Sequence, residues 1–249
     1  MPTYLSPGIY TRETDFSFYV KQISTSSAAM VGVAEKGPIN KPVLVTSWEQ
    51  FINRFGSYIN ESYLAYAARA FFDNGGSVLY VTRIAHLTDP TDRDTLTAFK
   101  SSIVLQNRET TPADALRIEA VNEGVWGDRL SISIEDGSLD PANHFNLVVR
   151  HKGDVVEVFK DLSMDETLPN HVELAINDRS DFILVQDLAT ATGTPGDRPG
   201  LGVFTLSGGD NGLTDLADAD FIGDPSQHTG LYGFDEIDAL NLLMVPGVT

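Results

Sequence analysis

The chain of 249 residues contains no cysteine, which excludes a disulfide framework and any thiolate metal site. That composition fits folding in a reducing cytoplasm. Positive charge is also scarce: 17 Lys and Arg stand against 35 Asp and Glu, for a formal net charge of −18. A phosphate-binding surface needs clustered cations to displace counterions, and no such cluster occurs, so direct nucleic-acid binding is disfavoured. After Arg198 there is no Lys or Arg, while Asp210, Asp215, Asp218, Asp220, Asp224, Asp235, Glu236 and Asp238 all fall in that stretch. It reads as a solvated acidic face or as a surface that meets a basic partner. No apolar run approaches the roughly 18 residues of a membrane span. Met1 to Tyr10 lacks the basic flank and apolar stretch of a secretory signal.

What is present is enough apolar residue, 42%, to build a packed core. Residues 1–27 read as an extended arm: Pro7-Gly8 punctuates it, Ile9-Tyr10-Thr11 favours a strand, and Ser24 to Ser27 is a polar break. Ala28 to Ala34 is an apolar run fit for a buried strand, and Pro42 to Val45 is a second strand. Ser47 with Gln50 three residues on forms a capping box, ahead of Trp48, Phe51, Ile52 and Phe55 at helical spacing and a stop at Gly56. A second helix is expected from about Glu61 to Asp73, with Leu64, Ala67, Ala68, Phe71 and Phe72 on its apolar face and Asn74-Gly75-Gly76 as its stop. Val78 to Ile84 then reads as a strand apolar on both sides, completing the rhythm of an α/β layer.

The pattern changes after Ala85. Leu116, Ile118 and Ala120 alternate with polar residues, as do Leu130, Ile132 and Ile134. Phe145–Val149 and Val155–Phe159 flank a hairpin signal at Lys152-Gly153-Asp154. A helix over about Asn170–Asn177 precedes a strand at Phe182–Val185, and a Gly/Pro/Thr-rich linker runs from Thr190 to Gly200. From Gly202 the α/β pattern is expected to resume: a strand at Val203–Leu206, a short acidic helix at Leu213–Asp220, another at Leu231–Asp235, and a buried strand at Ala239–Val245. The fold class expected is thus an α/β core over 28–95 and 201–249, with a β-rich domain inserted over 96–200 and the arm over 1–27. An apolar strand with nothing to cover it points to further natural chain beyond Thr249.

No catalytic constellation is evident. The five histidines show neither the i, i+4 pairing of a helical zinc site nor H-E-x-x-H. His86 sits just after a strand, where catalytic residues of α/β sheets lie, but no partner is identifiable, and a plain surface histidine is the simpler reading. Ser207-Gly208-Gly209-Asp210-Asn211-Gly212 lacks both the G-x-S-x-G elbow and the G-K-[ST] of a phosphate loop. Its amides could hold an anion, although a tight strand-to-helix turn accounts for the glycines. The Asp-rich segments 89–94 and 215–224 lack EF-hand order. No cofactor and no metal site is expected.

Several of these segments, in this order, resemble the tail sheath family of contractile phages and related contractile injection particles. They are Pro7-Gly8-Ile9-Tyr10, Gly37 to Pro42, Val45-Thr46-Ser47, Phe55-Gly56 and Phe71 to Gly76 leading into Tyr80-Val81-Thr82-Arg83. Glu123 to Asp128 with Leu130, Leu206 to Gly212, Phe221-Ile222-Gly223 and Leu242 to Gly247 continue the series. Asp128 and Asn211 depart from the pattern, standing where Asn and Asp would be expected.

The resemblance implies a subtilisin-like core layout without a protease triad, a continuation past Gly247 that ends in a second arm, and a mechanical rather than enzymatic role. Subunits would polymerise helically around an inner tube protein, between baseplate and tail terminator proteins, and contract to drive the tube through a cell envelope. That places the protein in a virion tail or injection particle assembled in the bacterial host cytoplasm, with no membrane insertion. Pro7, Gly8, Ile9, Tyr10, Thr11 and Arg12 would form the inter-subunit arm. The residues themselves also leave open a hydrolase-like α/β enzyme and a carbohydrate-binding surface module.

Overall fold

A computed structural model of the chain describes residues 27–188, 197–238 and 240–247. The arm residues Pro7, Gly8, Ile9, Tyr10, Thr11 and Arg12, and most of the linker at 190–200, lie outside the described residues.

β1 (Ser27–Gly32) is almost wholly buried, as its small and apolar side chains require. β2 (Val43–Val45) leads into α1 (Trp48–Phe55), whose start is set by Ser47: its hydroxyl accepts the Gln50 amide at 3.2 Å. The return half of the expected capping box reaches one residue further, because Gln50 Oε1 accepts the Thr46 amide at 2.9 Å. Gly56, at φ +83°, ends the helix. α2 (Leu64–Asp73) begins three residues later than the sequence suggests, since the Ser62 hydroxyl accepts the Leu64 amide at 3.0 Å and fixes the first turn there. β3 (Val78–Arg83) lies parallel to β1, with Ala28 opposite Leu79 and Gly32 opposite Arg83, and β2 pairs antiparallel on its other side. Phe51, Phe55, Leu64 and Ala68 pack under this sheet against Met30, Leu79 and Val81. Burial of each large side chain contributes about 1.5–3 kcal/mol.

The chain then builds two antiparallel sheets. β4 (Ser102–Gln106), β5 (Asp114–Ala120) and β9 (Ile183–Asp187) form one, in the order β4-β5-β9. β6 (Leu130–Asp136), β7 (Phe145–His151), β8 (Asp154–Leu162) and β10 (Gly202–Thr205) form the other, in the order β10-β6-β7-β8. The expected β7–β8 hairpin is present, its two-residue turn carrying Lys152 at φ +54° and Gly153 at φ +95°, both in the region a type I′ turn demands. The alternating residues Leu116, Ile118, Leu130, Ile132, Leu147 and Val149 share one core, into which α3 (Val172–Ile176) also packs.

The second half of the chain departs from the sequence expectation in four elements. β4 is a strand that the sequence pattern does not mark. β10, expected to reopen the α/β part, instead adds to the free edge of β6, with Val203 opposite Ser133 and Thr205 opposite Ser131. The acidic helix is also displaced: α4 spans Asp218–Ile222, because the Asp220 carboxylate accepts the Ala217 amide at 2.9 Å and starts the helix there. Gly230–Phe234 is a 3-10 turn packed on the far side of β1 through Phe234. β11 (Leu242–Met244) returns to the first sheet, parallel to β1, giving the order β11-β1-β3-β2. Among the described residues it is an edge strand paired on one side, with Leu242 and Leu243 nearly half exposed, and not the buried strand expected. Among the described residues no helix is long and apolar enough to cross a membrane.

Candidate functional site

The chemistry-bearing side chains gather where the parallel sheet meets the antiparallel layer. Glu123–Asp128 forms the turn after β5, and Ser207–Gly212 the loop after β10. Asp128 Oδ1 accepts the Gly209 amide at 3.0 Å and the Ser101 hydroxyl at 2.7 Å. Asn211 Oδ1 accepts the Val125 amide at 3.0 Å. Between them, the backbones of Phe99 and Asp210 exchange hydrogen bonds, and Gly124 donates to Phe99. The glycines follow from this closeness: a Cβ on Gly209 would overlap the Gly124 carbonyl and the Ser101 hydroxyl. Of the amides that could have held an anion, Gly209 is taken by Asp128 and Gly212 by Asp210 Oδ1 at 2.7 Å. The loop is a clasp between two parts of the fold.

Glu35, between β1 and β2, is a second tie. Its Oε2 accepts the Ser57 amide at 2.9 Å, while Oε1 meets Arg129 Nη1 at 3.1 Å and Lys152 Nζ at 3.4 Å. Burial alone would raise its pKa, but the Ser57 amide and the charges of Lys152 and Arg129 hold it below the usual carboxylate value. Gly56 leaves room for this carboxylate, since a Cβ there would lie 2.6 Å from Glu35 Cβ.

Lys36 extends over the rings of Trp126 and Phe182, at 5.5 and 5.2 Å from their centroids. Burial lowers its pKa, with Lys152 and Arg54 adding repulsion. Burial likewise lowers that of His151, the ring beside Trp126 and Phe182. A cleft of about 810 Å³ opens beside Lys36, with Arg54 and Asp181 3.9 Å apart among its lining residues.

His86 has a partner after all. Its Nδ1 lies 3.0 Å from Oδ2 of buried Asp220, whose other oxygen accepts the Leu87 amide at 2.9 Å. No hydroxyl among the described residues hydrogen-bonds its Nε2. Ser207 lies elsewhere, bridged through its backbone to Ser102. His171 and Asp187 form a buried pair at 3.1 Å inside the antiparallel layer. Among the described residues no group of three His, Asp or Glu could hold a metal ion. Sequence reading did not single out Glu35, Lys36 or Arg83 as site residues. Their partners lie far along the chain, and only the neighbouring Gly37-Pro38 and the Thr82-Arg83 motif marked the region.

Residues 25–84 match the family model described as the N-terminal region of domain III of the tail sheath protein Gp18. Over this segment the chain is similar to the tail sheath family. It comprises β1, β2, α1, α2 and β3, and carries Glu35 and Arg83. Two solved sheath tail proteins are similar to the chain. The one from Desulfitobacterium hafniense is 13% identical, with a TM-score of 0.55 over 97% of this chain and 46% of its own. The one from Listeria innocua is also 13% identical, with a TM-score of 0.49 over 74% of this chain and 34% of its own. The chain therefore spans less than half the length of either. The mixed α/β architecture with several sheets is shared with the D. hafniense tail sheath structure. No curated protein matches the sequence.

Proposed function

We propose that the chain is a structural part of a contractile tail sheath subunit, which polymerises helically around an inner tube and shortens to drive that tube through a cell envelope. The observation that carries this reading is the tail sheath match over residues 25–84, on a fold whose polar residues tie layers together. In this reading β1–β3 with β11 belong to a subtilisin-like core without a triad, and the antiparallel layer is an inserted outer domain. The partners are further copies of the subunit, the inner tube, and the baseplate and tail terminator proteins, in a particle assembled in the bacterial cytoplasm. A head-to-tail contact that does not close on itself yields an open filament, and residues 7–12 would link neighbours by adding a strand to a sheet edge. The role is structural rather than enzymatic: His86 and Asp220 lack a nucleophile in reach among the described residues.

Gold-labelled antibody raised against residues 27–247 should decorate the whole length of contractile tails in preparations of the particles. Labelling confined to free protein, or to one end of the tail, would overturn the proposal. Tyr10→Pro removes one backbone donor from the arm and should reduce polymer in sedimentation while leaving circular dichroism unchanged. Normal polymer from a variant lacking residues 1–20 would exclude the arm.

A further inference from the structure

Arg83 closes β3 with its side chain wholly buried. Its Nη1 donates to the Gly37 carbonyl oxygen at 2.9 Å and to the Glu123 carbonyl oxygen at 2.8 Å. The Nε and Nη2 donors, which lie side by side along the opposite edge of the guanidinium, meet no acceptor among the described residues. That edge is the fork that matches the two oxygens of a carboxylate. Leaving it empty is costly, because buried donors lose water without gaining a partner. Burial holds the Arg83 pKa down to about 10, and the charge of Glu123 acts in the opposite direction. Glu123 is half-buried, and its carboxylate takes part in no hydrogen bond among the described residues. The same residue already touches Arg83 through its backbone oxygen, which puts its side chain near the guanidinium in space.

We infer that the Nε–Nη2 edge of Arg83 is a carboxylate-binding site whose ligand is the Glu123 side chain, an ion pair that fastens the end of the parallel sheet to the turn after β5. A free small carboxylate or a water molecule would satisfy the same donors, and the test separates all three. Glu123→Gln keeps the shape and removes the charge; Arg83→Lys keeps a cation on a flexible stem and removes the fork. Melting temperatures are measured for both, for the double variant and for the wild type, each with and without excess formate. Glu123→Gln should lower the wild-type melting temperature by about 2–4 °C and change little in the Arg83→Lys background. An equal loss in both backgrounds overturns the pairing. Formate that stabilises the wild type but not Arg83→Lys shows a free carboxylate on the edge and overturns the assignment to Glu123. Should Arg83→Lys fail to fold, the ¹H–¹⁵N spectrum decides: the Arg83 Nε–H resonance should shift and exchange faster in Glu123→Gln. An unchanged resonance leaves water as the occupant and overturns the proposal.

Discussion

Asp128 Oδ1 accepts the Gly209 amide at 3.0 Å across a sequence separation of 81 residues, and Asn211 answers from the glycine loop by accepting the Val125 amide. Both bonds use a side-chain oxygen that Asp and Asn share. Asp128 and Asn211 would therefore carry the same acceptor chemistry with their amide and carboxylate exchanged. Asp128→Asn and Asn211→Asp should each change stability by less than about 0.5 kcal/mol, whereas Asp128→Ala should cost about 1–3 kcal/mol by stripping the Gly209 amide and the Ser101 hydroxyl of their acceptor. Urea denaturation of the three variants checks this; an Asn variant as damaged as the Ala variant would refute it.

Neighbouring glycines should respond differently. Gly209→Ala forces a Cβ into the Gly124 carbonyl and should cost more than about 3 kcal/mol or prevent folding. Gly208 sits at φ +85° with open space around it, so Gly208→Ala should cost only about 1–2 kcal/mol of backbone strain. Soluble yield and thermal melts of the pair give the comparison, and equal effects would mean that the clasp is not closely packed.

Acid should loosen the Glu35 tie. Its folded-state pKa is lowered, so its contribution is complete above the unfolded value near 4.3 and is lost as pH falls through the folded one. Glu35→Gln should therefore destabilise by roughly 1 kcal/mol at neutral pH and match the wild type once the pH has fallen below the lowered folded-state pKa. A difference between the two proteins that persists unchanged into acid would show that Glu35 acts by packing instead.

Replacing His86 by alanine leaves the Asp220 carboxylate with the Leu87 and Ala217 amides. A loss of roughly 1 kcal/mol is expected, with no peptide or ester turnover that depends on His86 or Ser207. Hydrolysis abolished by alanine at both positions would turn the reading toward an enzyme.

Local signals made much of the parallel sheet legible. Ser47 writes its own cap, the Ala28 and Val78 runs are buried on both sides, and Lys152-Gly153 specifies its own turn. Gly202–Thr205 says strand without saying whose edge it joins; that is decided by the open side of β6. Glu35 and Arg83 were invisible as ties for a related reason: their partners Arg129, Lys152 and Glu123 sit at no spacing that a helix or strand would register. His86 could be noticed from its place after β3, but Asp220 could be paired with it only once α4 was folded.

The placement of β1 also bears on how the chain reaches this structure. One side of β1 pairs with β3 after a short excursion, whereas the other waits for β11, with Met30 opposite Met244 across most of the sequence. Closing so large a loop is entropically expensive and rewarded late. The β1–β3 pair should thus form first and persist with a bare strand edge until the intervening sheets have assembled. During synthesis that edge is a template for pairing with other chains, so crowded ribosomes and slow translation of the middle sheets would favour aggregation. Soluble yield should accordingly depend on the rate at which the antiparallel layer condenses.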